Sequence, residues 1–483
     1  MHSHTGIELL KTLNEEELRL FGDFIRSPYF NKREVLIRLY DLISKHAPDY
    51  TSNALKKENI YKKLFPGKEY NEQTLRSRIS EFSNLVKEFL ADISSKRDEF
   101  SKRKYLIEEL TRRKKFEMSE KYINETVQHL EKDSKLGQEF FLNKHKMLLE
   151  HITLWTATEQ KNKALESAYE RSELSLNHFF LDLLKIQSDL ICFEIETKKK
   201  RGFSFAQLFM EKFDFEGYIN ILKKKNYEHF PIIASYYYGN LSMLHPEEEK
   251  YFFQLKDLIY KYYDKFDMSE LDNFWSMLSN CAYVNFLKKG NRFQLEVHEI
   301  NKFFITNNLY DKNNPFSAIG YQNILINAIT ANDLDWGEKF VDEFKEKLAP
   351  EVVTNRYNYC KAIICYERKD HEASIAHLNK VKSNFWDLKF SVRLIYLKNF
   401  YELGDGDQVS SLINSSRYFF STNNENLPEY VTERFKLTIN YISKLSNAKF
   451  SGKRLDYGDL KEAENADDCY YKSWVLEKMR ELI

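Results

Sequence analysis

Apolar residues recur along most of this chain at steps of three and four, the period of a helix with one face turned to a core. Leu75, Ile79, Phe82, Val86 and Phe89 form the cleanest stripe, opened by Asn71 as a capping residue. Upstream, Asn14 with Glu17 three residues on is a capping-box pair ahead of Leu18, Phe21 and Ile25. Ser27-Pro28 stops that helix, and Asn31 with Glu34 is expected to cap the next, which carries Leu36, Leu39 and Ile43 as far as Pro48. A shorter helix from Lys56 to Phe65 closes at Pro66-Gly67. Residues 1–93 are therefore expected to form a small N-terminal helical module, with the polar stretch Ser94–Arg103 as its boundary.

Beyond Tyr105 the helical patterns follow one another with little interruption. Phe140–Gln160 and Ala164–Lys200 are the longest, parted by the polar corner Lys161-Asn162-Lys163. A shorter rhythm sets in later. Tyr357–Tyr366 is apolar, Lys369-Asp370 is a polar corner, and Glu372–Leu378 is amphipathic. The same corner stands at Asn332-Asp333 and Gly404-Asp405, giving spacings of 37 and 35 residues. Fainter copies are Lys289-Gly290-Asn291 and Lys114-Lys115-Phe116. Two helices cross closely only where a small residue lets them, and Ala362 with Ser374, Gly337 and Ser119 fall at such places. Residues 94–465 read as helical repeats, each needing its neighbours to bury its apolar face. Residues 466–483 then form a helix whose Tyr471, Trp474, Val475, Leu476 and Met479 are suited to capping the stack.

Over residues 316–421 the corner spacing and the small residues resemble the tetratricopeptide family, whose repeat is about 34 residues long. Lys361 and Trp386 depart from it, standing where a large apolar residue and a proline are usual. The resemblance implies an all-α fold, a tetratricopeptide-like α-solenoid of stacked antiparallel helix pairs whose first helices line a concave, protein-binding surface. Here those helices supply Asn323, Asn327, Arg356, Tyr359, Arg393, Tyr396 and Asn399 as expected partner-binding residues. Rings, guanidinium and amide groups give directed contacts at modest entropic cost. The layout from Ser27-Pro28-Tyr29-Phe30-Asn31 to the Trp474 helix is also similar to a group of long bacterial helical-repeat proteins, a likeness that implies a fold and no activity.

Leu55–Leu90 resembles the helix-turn-helix of bacterial activators that join a DNA-binding domain to tetratricopeptide repeats. That likeness implies a second helix in the major groove, with Thr74, Arg76, Ser77, Arg78 and Ser80 facing the nucleic acid. Lys56–Lys115 carries 17 basic against 10 acidic residues, a local net of +7. A wing should follow, yet Asp92–Tyr105 has neither an alternating pattern nor a glycine turn.

Composition narrows the field. Lys+Arg and Asp+Glu balance at 73 each, so the whole chain has no field to steer nucleic acid or an anionic membrane. Aromatics at 15% suit gaps between stacked helices, and 14 Gly with 8 Pro disfavour turn-rich β folds. Cys192, Cys281, Cys360, Cys365 and Cys469 are dispersed, so neither a disulfide framework nor a zinc site is expected. His145/His151 and His371/His377 are six apart, off one metal-binding face, and His2 and His4 sit on a terminal tail. Glu247-Glu248-Glu249 and Asp467-Asp468 read as acids at helix N-termini. No nucleophile, phosphate-loop or zincin motif is present, so no enzyme, cofactor or metal is expected. No apolar run approaches the roughly 18–20 residues of a membrane span, and the N-terminus lacks a secretory pattern, so a cytoplasmic protein is expected. The expected function is a non-enzymatic scaffold or adaptor with a protein or peptide partner. The alternative is a DNA-binding regulator with an N-terminal helix-turn-helix and a helical-repeat sensor.

Overall fold

A computed structural model describes residues 5–132, 135–197, 199, 202, 204–289, 292–311, 315–382, 386–423, 429–466 and 469–483. His2, His4, Asp467-Asp468 and parts of the basic run Lys198–Arg201 and of the corner at Gly290 lie outside them. The described chain is all-α, without a strand. It divides into two compact units, residues 1–134 with 138–179, and residues 135–137 with 180–483.

The first unit opens with α1 (Thr5–Leu10), α2 (Glu15–Arg26), α3 (Glu34–Ile43), α4 (Lys57–Leu64) and α5 (Glu72–Arg97). Phe21, Leu39, Ile43, Ile79, Phe82, Val86 and Phe89 lie in one core built from these helices, with Tyr50 and Leu55 from the segment between α3 and α4. The Asn14–Glu17 capping box forms as expected, and Asn71 accepts the Thr74 N–H at 2.8 Å. Asn31 does something else. Buried, it donates from Nδ2 to the Ile25 carbonyl at 2.8 Å and accepts the Arg33 N–H at 2.9 Å, so α3 begins without a side-chain cap. Residues Ser94–Arg103, polar in sequence, are helical except at Asp98, which caps α6 (Glu99–Arg112) through the Ser101 N–H. Solvated faces on both sides let the helix continue where no core demands it. The unit continues with α7 (Phe116–Lys132), α8 (Gln138–Ala157) and the first half of α9 (Lys161–Thr197). The corner expected at Lys161 lies two residues earlier, because Glu159 takes a left-handed conformation and Lys161 already starts α9.

The second unit takes the remainder of α9, then α10 (Phe205–Lys212), α11 (Phe215–Lys224), α12 (Phe230–Leu244), α13 (Glu249–Tyr262), α14 (Met268–Lys289), α15 (Arg292–Thr306), α16 (Ala318–Thr330) and α17 (Leu334–Phe344). It ends with α18 (Pro350–Glu367), α19 (His371–Leu378), α20 (Trp386–Leu403), α21 (Gly406–Asn423), α22 (Glu429–Ser451), α23 (Tyr457–Asn465) and α24 (Lys472–Leu482). Consecutive helices pack as pairs from α12 with α13 through α20 with α21, and each pair packs on the next. First helices also meet one another: α12 with α14, α16 with α18, and α18 with α20.

One device closes seven of the helices. Lys114, Glu159, Asn226, Asn308, Asn332, Lys369 and Gly404 all have positive φ. At each, its own N–H and the following N–H reach back to carbonyls three and five residues earlier, as Lys369 to Tyr366 and Asp370 to Cys365, both at 2.9 Å. This Schellman arrangement satisfies carbonyls that a helix end leaves orphaned. Four residues past the second corner position a small or branched side chain is buried: Ser119, Gly337, Ser374 and Val409. A Cβ on Gly337 would lie 3.0 Å from the Ala328 Cβ. Ser374 Oγ donates to the Ala362 carbonyl at 2.7 Å and accepts from Asn399 Nδ2 at 2.9 Å, tying three helices at one point.

Ser374→Val removes both hydrogen bonds and adds a methyl group where none fits, which is expected to cost about 1–3 kcal/mol. Glu372→Ala, on the exposed side of the same helix, should stay within about 0.5 kcal/mol of the parent. Urea midpoints of the two variants test this, and equal midpoints would remove Ser374 as a packing point.

Candidate binding groove

The first helices leave a series of recesses on the second unit. Of three such recesses the largest, about 540 Å³, lies among α14, α15 and α16 and is lined by Asp272, Trp275, Asn301, Tyr310, Asp311, Asn323 and Asn327, among others. A smaller one of about 170 Å³ lies among α9, α12 and α14, and shares Ser276 and Asn280 with it. A third, about 430 Å³, is lined mainly from α20 and α21 and includes Arg393, Tyr396, Leu412 and Phe419.

Under the smaller recess sits a buried charge group. Glu270, shielded from solvent, accepts from Lys185 Nζ and from Tyr236 Oη, each at 2.5 Å. Burial and the Glu270 charge hold the Tyr236 phenol well above its ordinary range, so it remains a donor to that carboxylate. Ser188 Oγ donates to Asn240 Oδ1 at 2.6 Å, and Asn240 Nδ2 donates to the Leu184 carbonyl at 2.9 Å. These bonds commit the polar floor to holding α9 on α12 and α14. Nothing in the sequence spacing of Lys185, Tyr236 and Glu270 signals the group, since each comes from a different helix.

The seven residues expected to bind a partner divide cleanly. Asn323 is exposed and Asn327 half-buried, one helical turn apart on α16, and both line the largest recess. Arg393 and Tyr396 line the third recess, the guanidinium 5.2 Å over the Phe419 ring and the phenol donating to Asn379 at 2.6 Å. Arg356, Tyr359 and Asn399 are buried in the packing between helices. Arg356 bonds Gln322, and Asn399 meets Ser374, His371 and the Ile395 carbonyl.

In the N-terminal unit Arg76 is 75% exposed, 3.7 Å from Glu72, while Arg78 is half-buried and paired to Glu81 at 2.6 Å. Ser77 and Ser80 are exposed and Thr74 is half-buried. Residues 92–105, where a wing would stand, are helical apart from Asp98. Much of the local positive charge is matched by acids, as in Lys57–Glu72, Lys96–Asp92 and Arg112–Glu109.

Comparison with protein-family models, curated proteins and solved structures returned no match. The groove has to be read from its own chemistry. Among the described residues no group of three or more His, Cys, Asp or Glu is placed to hold a metal ion. Burial pushes the Cys281 and Cys360 thiols up to about 12, which keeps them protonated and poor nucleophiles. No helix among the described residues is long and apolar enough to cross a membrane.

Lys398 is a buried charge set among rings. Its Nζ lies 4.0 Å from the centre of the Tyr366 ring, 4.4 Å from Tyr471 and 5.7 Å from Trp474, so α18 and α24 enclose it with aromatic faces. Trp474 in turn donates to Glu402 at 2.9 Å, which also meets Lys478 at 3.3 Å. Burial pushes the Lys398 ammonium down to about 8, against the pull of Glu367, Glu402 and Glu477. Its folded value lies below the ordinary 10.5, so between pH 8 and 10.5 the unfolded chain binds more protons and stability rises with pH. The phenols of Tyr401 and Tyr471, pushed up to about 12, stay protonated through that window. Relative to Lys398→Met, the parent should gain about 1–3 kcal/mol from pH 8 to pH 10, the rings opposing part of the shift. Urea midpoints of both proteins at pH 8, 9 and 10 read this difference. A constant gap across the series would show that Lys398 does not titrate there.

Proposed function

We propose that the protein is a non-enzymatic interaction scaffold. On this reading its second unit is a tetratricopeptide-like α-solenoid that holds a partner protein segment along its first helices. The observation that carries the reading is the run of recesses along those helices, with exposed or half-buried Asn323, Asn327, Arg393 and Tyr396 in their walls. Amide, phenol and guanidinium groups on rigid helices are preorganised for hydrogen bonding, and such surfaces bind extended or helical segments. Arg356, Tyr359 and Asn399 support the same surface from behind, by fixing the helices that present it. The nucleic-acid reading rests on the basic excess near α4 and α5, where Arg76 and Arg78 already face Glu72 and Glu81.

Photo-crosslinking inside the source cells tests the two readings together. A benzophenone amino acid at positions 323, 327 or 393 should yield one common protein adduct. The same group at Lys339 or Glu372, exposed on second helices, should yield none. Equal labelling at both sets would overturn the groove as the binding face. Arg76→Ala with Arg78→Ala should leave the adduct unchanged. Salt-dependent duplex binding by the parent that this double variant loses would replace the scaffold reading with the regulator one.

A further inference from the structure

Helix α9 carries two apolar lines where one would serve to pack it. Leu174, Leu181, Leu184 and Ile191 are buried. On the other side of the helix a second line is left in water. It shows Leu165, Tyr169 and Leu176 in the first unit, and Ile186, Leu190 and Phe193 in the second. All six are 43–69% exposed, and all fall on the two apolar positions of one seven-residue repeat. Ser172 is the only polar residue in that register from Leu165 to Phe193. Large apolar side chains scattered singly on a surface need no account, but a row of them in register on one helix does.

The register restricts what can cover the line. A straight α-helix drifts by about 20° every seven residues, and an apolar line that keeps to sevens is followed by a second helix wound beside it. An extended strand or a compact pocket does not track that path.

The bordering charges decide between helices. Glu166, Glu173 and Glu194 each stand one position past a residue of the register. Glu166 and Glu173 are exposed and Glu194 is half-buried, and among the described residues none of the three has an ion-pair partner. Lysine and arginine occur only twice from Leu165 to Phe193, and both are engaged elsewhere. Arg171 Nη2 lies 3.3 Å from His145 Nε2, and Lys185 Nζ donates to Glu270 at 2.5 Å. A second copy of this face would set glutamate against glutamate, whereas a helix with cations beside its apolar line would neutralise them.

We propose that the exposed line of α9 seats an amphipathic helix of another protein, with lysines or arginines bordering its apolar face. This is a binding face additional to the recesses, and it does not rest on the scaffold reading.

The probe is a labelled three-heptad peptide with leucine at the two apolar positions and lysine elsewhere, titrated with the full chain by fluorescence anisotropy. It should bind saturably, one per chain, and more weakly as salt is added. The same peptide with glutamate for lysine should bind at least tenfold more weakly. Tyr169→Ser with Leu176→Ser, and separately Ile186→Ser with Leu190→Ser, should each lower affinity for the lysine peptide at least fivefold. Glu166→Lys with Glu173→Lys should do the same, and because both glutamates are exposed this pair reads the face even if a serine pair perturbs folding. Ile319→Ser with Ile326→Ser, exposed on α16, should change nothing. Equal binding of the two peptides would overturn the proposal, as would an affinity that neither serine pair nor the lysine pair changes. A dimer of the parent in sedimentation equilibrium that the serine pairs dissociate would give the face to a second copy and overturn it as well.

Discussion

A helix that ends must find partners for its last carbonyls, and in this chain the way it does so turns the backbone straight into the next helix. At Lys114, Glu159, Asn226, Asn332, Lys369 and Gly404 one residue in the left-handed region allows two backward hydrogen bonds and then a new helical start. Only one of these residues is a glycine, so most corners accept about 1 kcal/mol or more of backbone strain in exchange for satisfied carbonyls. The reward is a close antiparallel pair. Once the corner is made, the position four residues on must be able to sit under the preceding helix, which is why Ser119, Gly337 and Ser374 are small.

Buried polar groups then hold pair to pair. The Ser374–Asn399–His371 cluster joins α18, α19 and α20, and Lys185–Glu270–Tyr236 joins α9, α14 and α12. Such groups are expensive to desolvate and add little net stability, but a slipped helix would leave them unpaired. They act as register marks among apolar faces that Phe and Tyr side chains could pack in more than one way. Lys398 extends the idea to the C-terminal helix. Its ammonium meets rings in place of a direct carboxylate partner, so α24 is seated by the fit of Tyr471 and Trp474 around a cation as well as by apolar burial.

What the packing does not consume defines the surface available for work. Along the first helices amides, hydroxyls and aspartates line the recesses, some of them already bonded, as Tyr396 is to Asn379. The recesses differ in chemistry, with Asp272 and Asp311 lining the one near α14 and the Arg393 guanidinium over the Phe419 ring near α20.

The sequence by itself determined what depends on neighbours within a turn or two. Helices, their starts at Asn14 and Asn71, the stripe on α5 and the corners at Asn332, Lys369 and Gly404 follow from local period, caps and breakers, and they stand where those signals put them. Sequence also singled out Asn323, Asn327, Arg393 and Tyr396, which line recesses, alongside Arg356, Tyr359 and Asn399, which are buried. The two groups have the same residue types and the same helical spacing. Only the rotation of each helix against its neighbours separates them, and a Tyr, Asn or Arg fits a seam as well as a surface. Asn31 looked like a cap because its side chain is right for one, yet the fold placed a buried carbonyl nearer. Asp272 with Asp311, and Lys398 with its rings, come together from separate elements, so no window of sequence contains them. Local chemistry chose the helices; the angles at which they cross chose what each side chain meets.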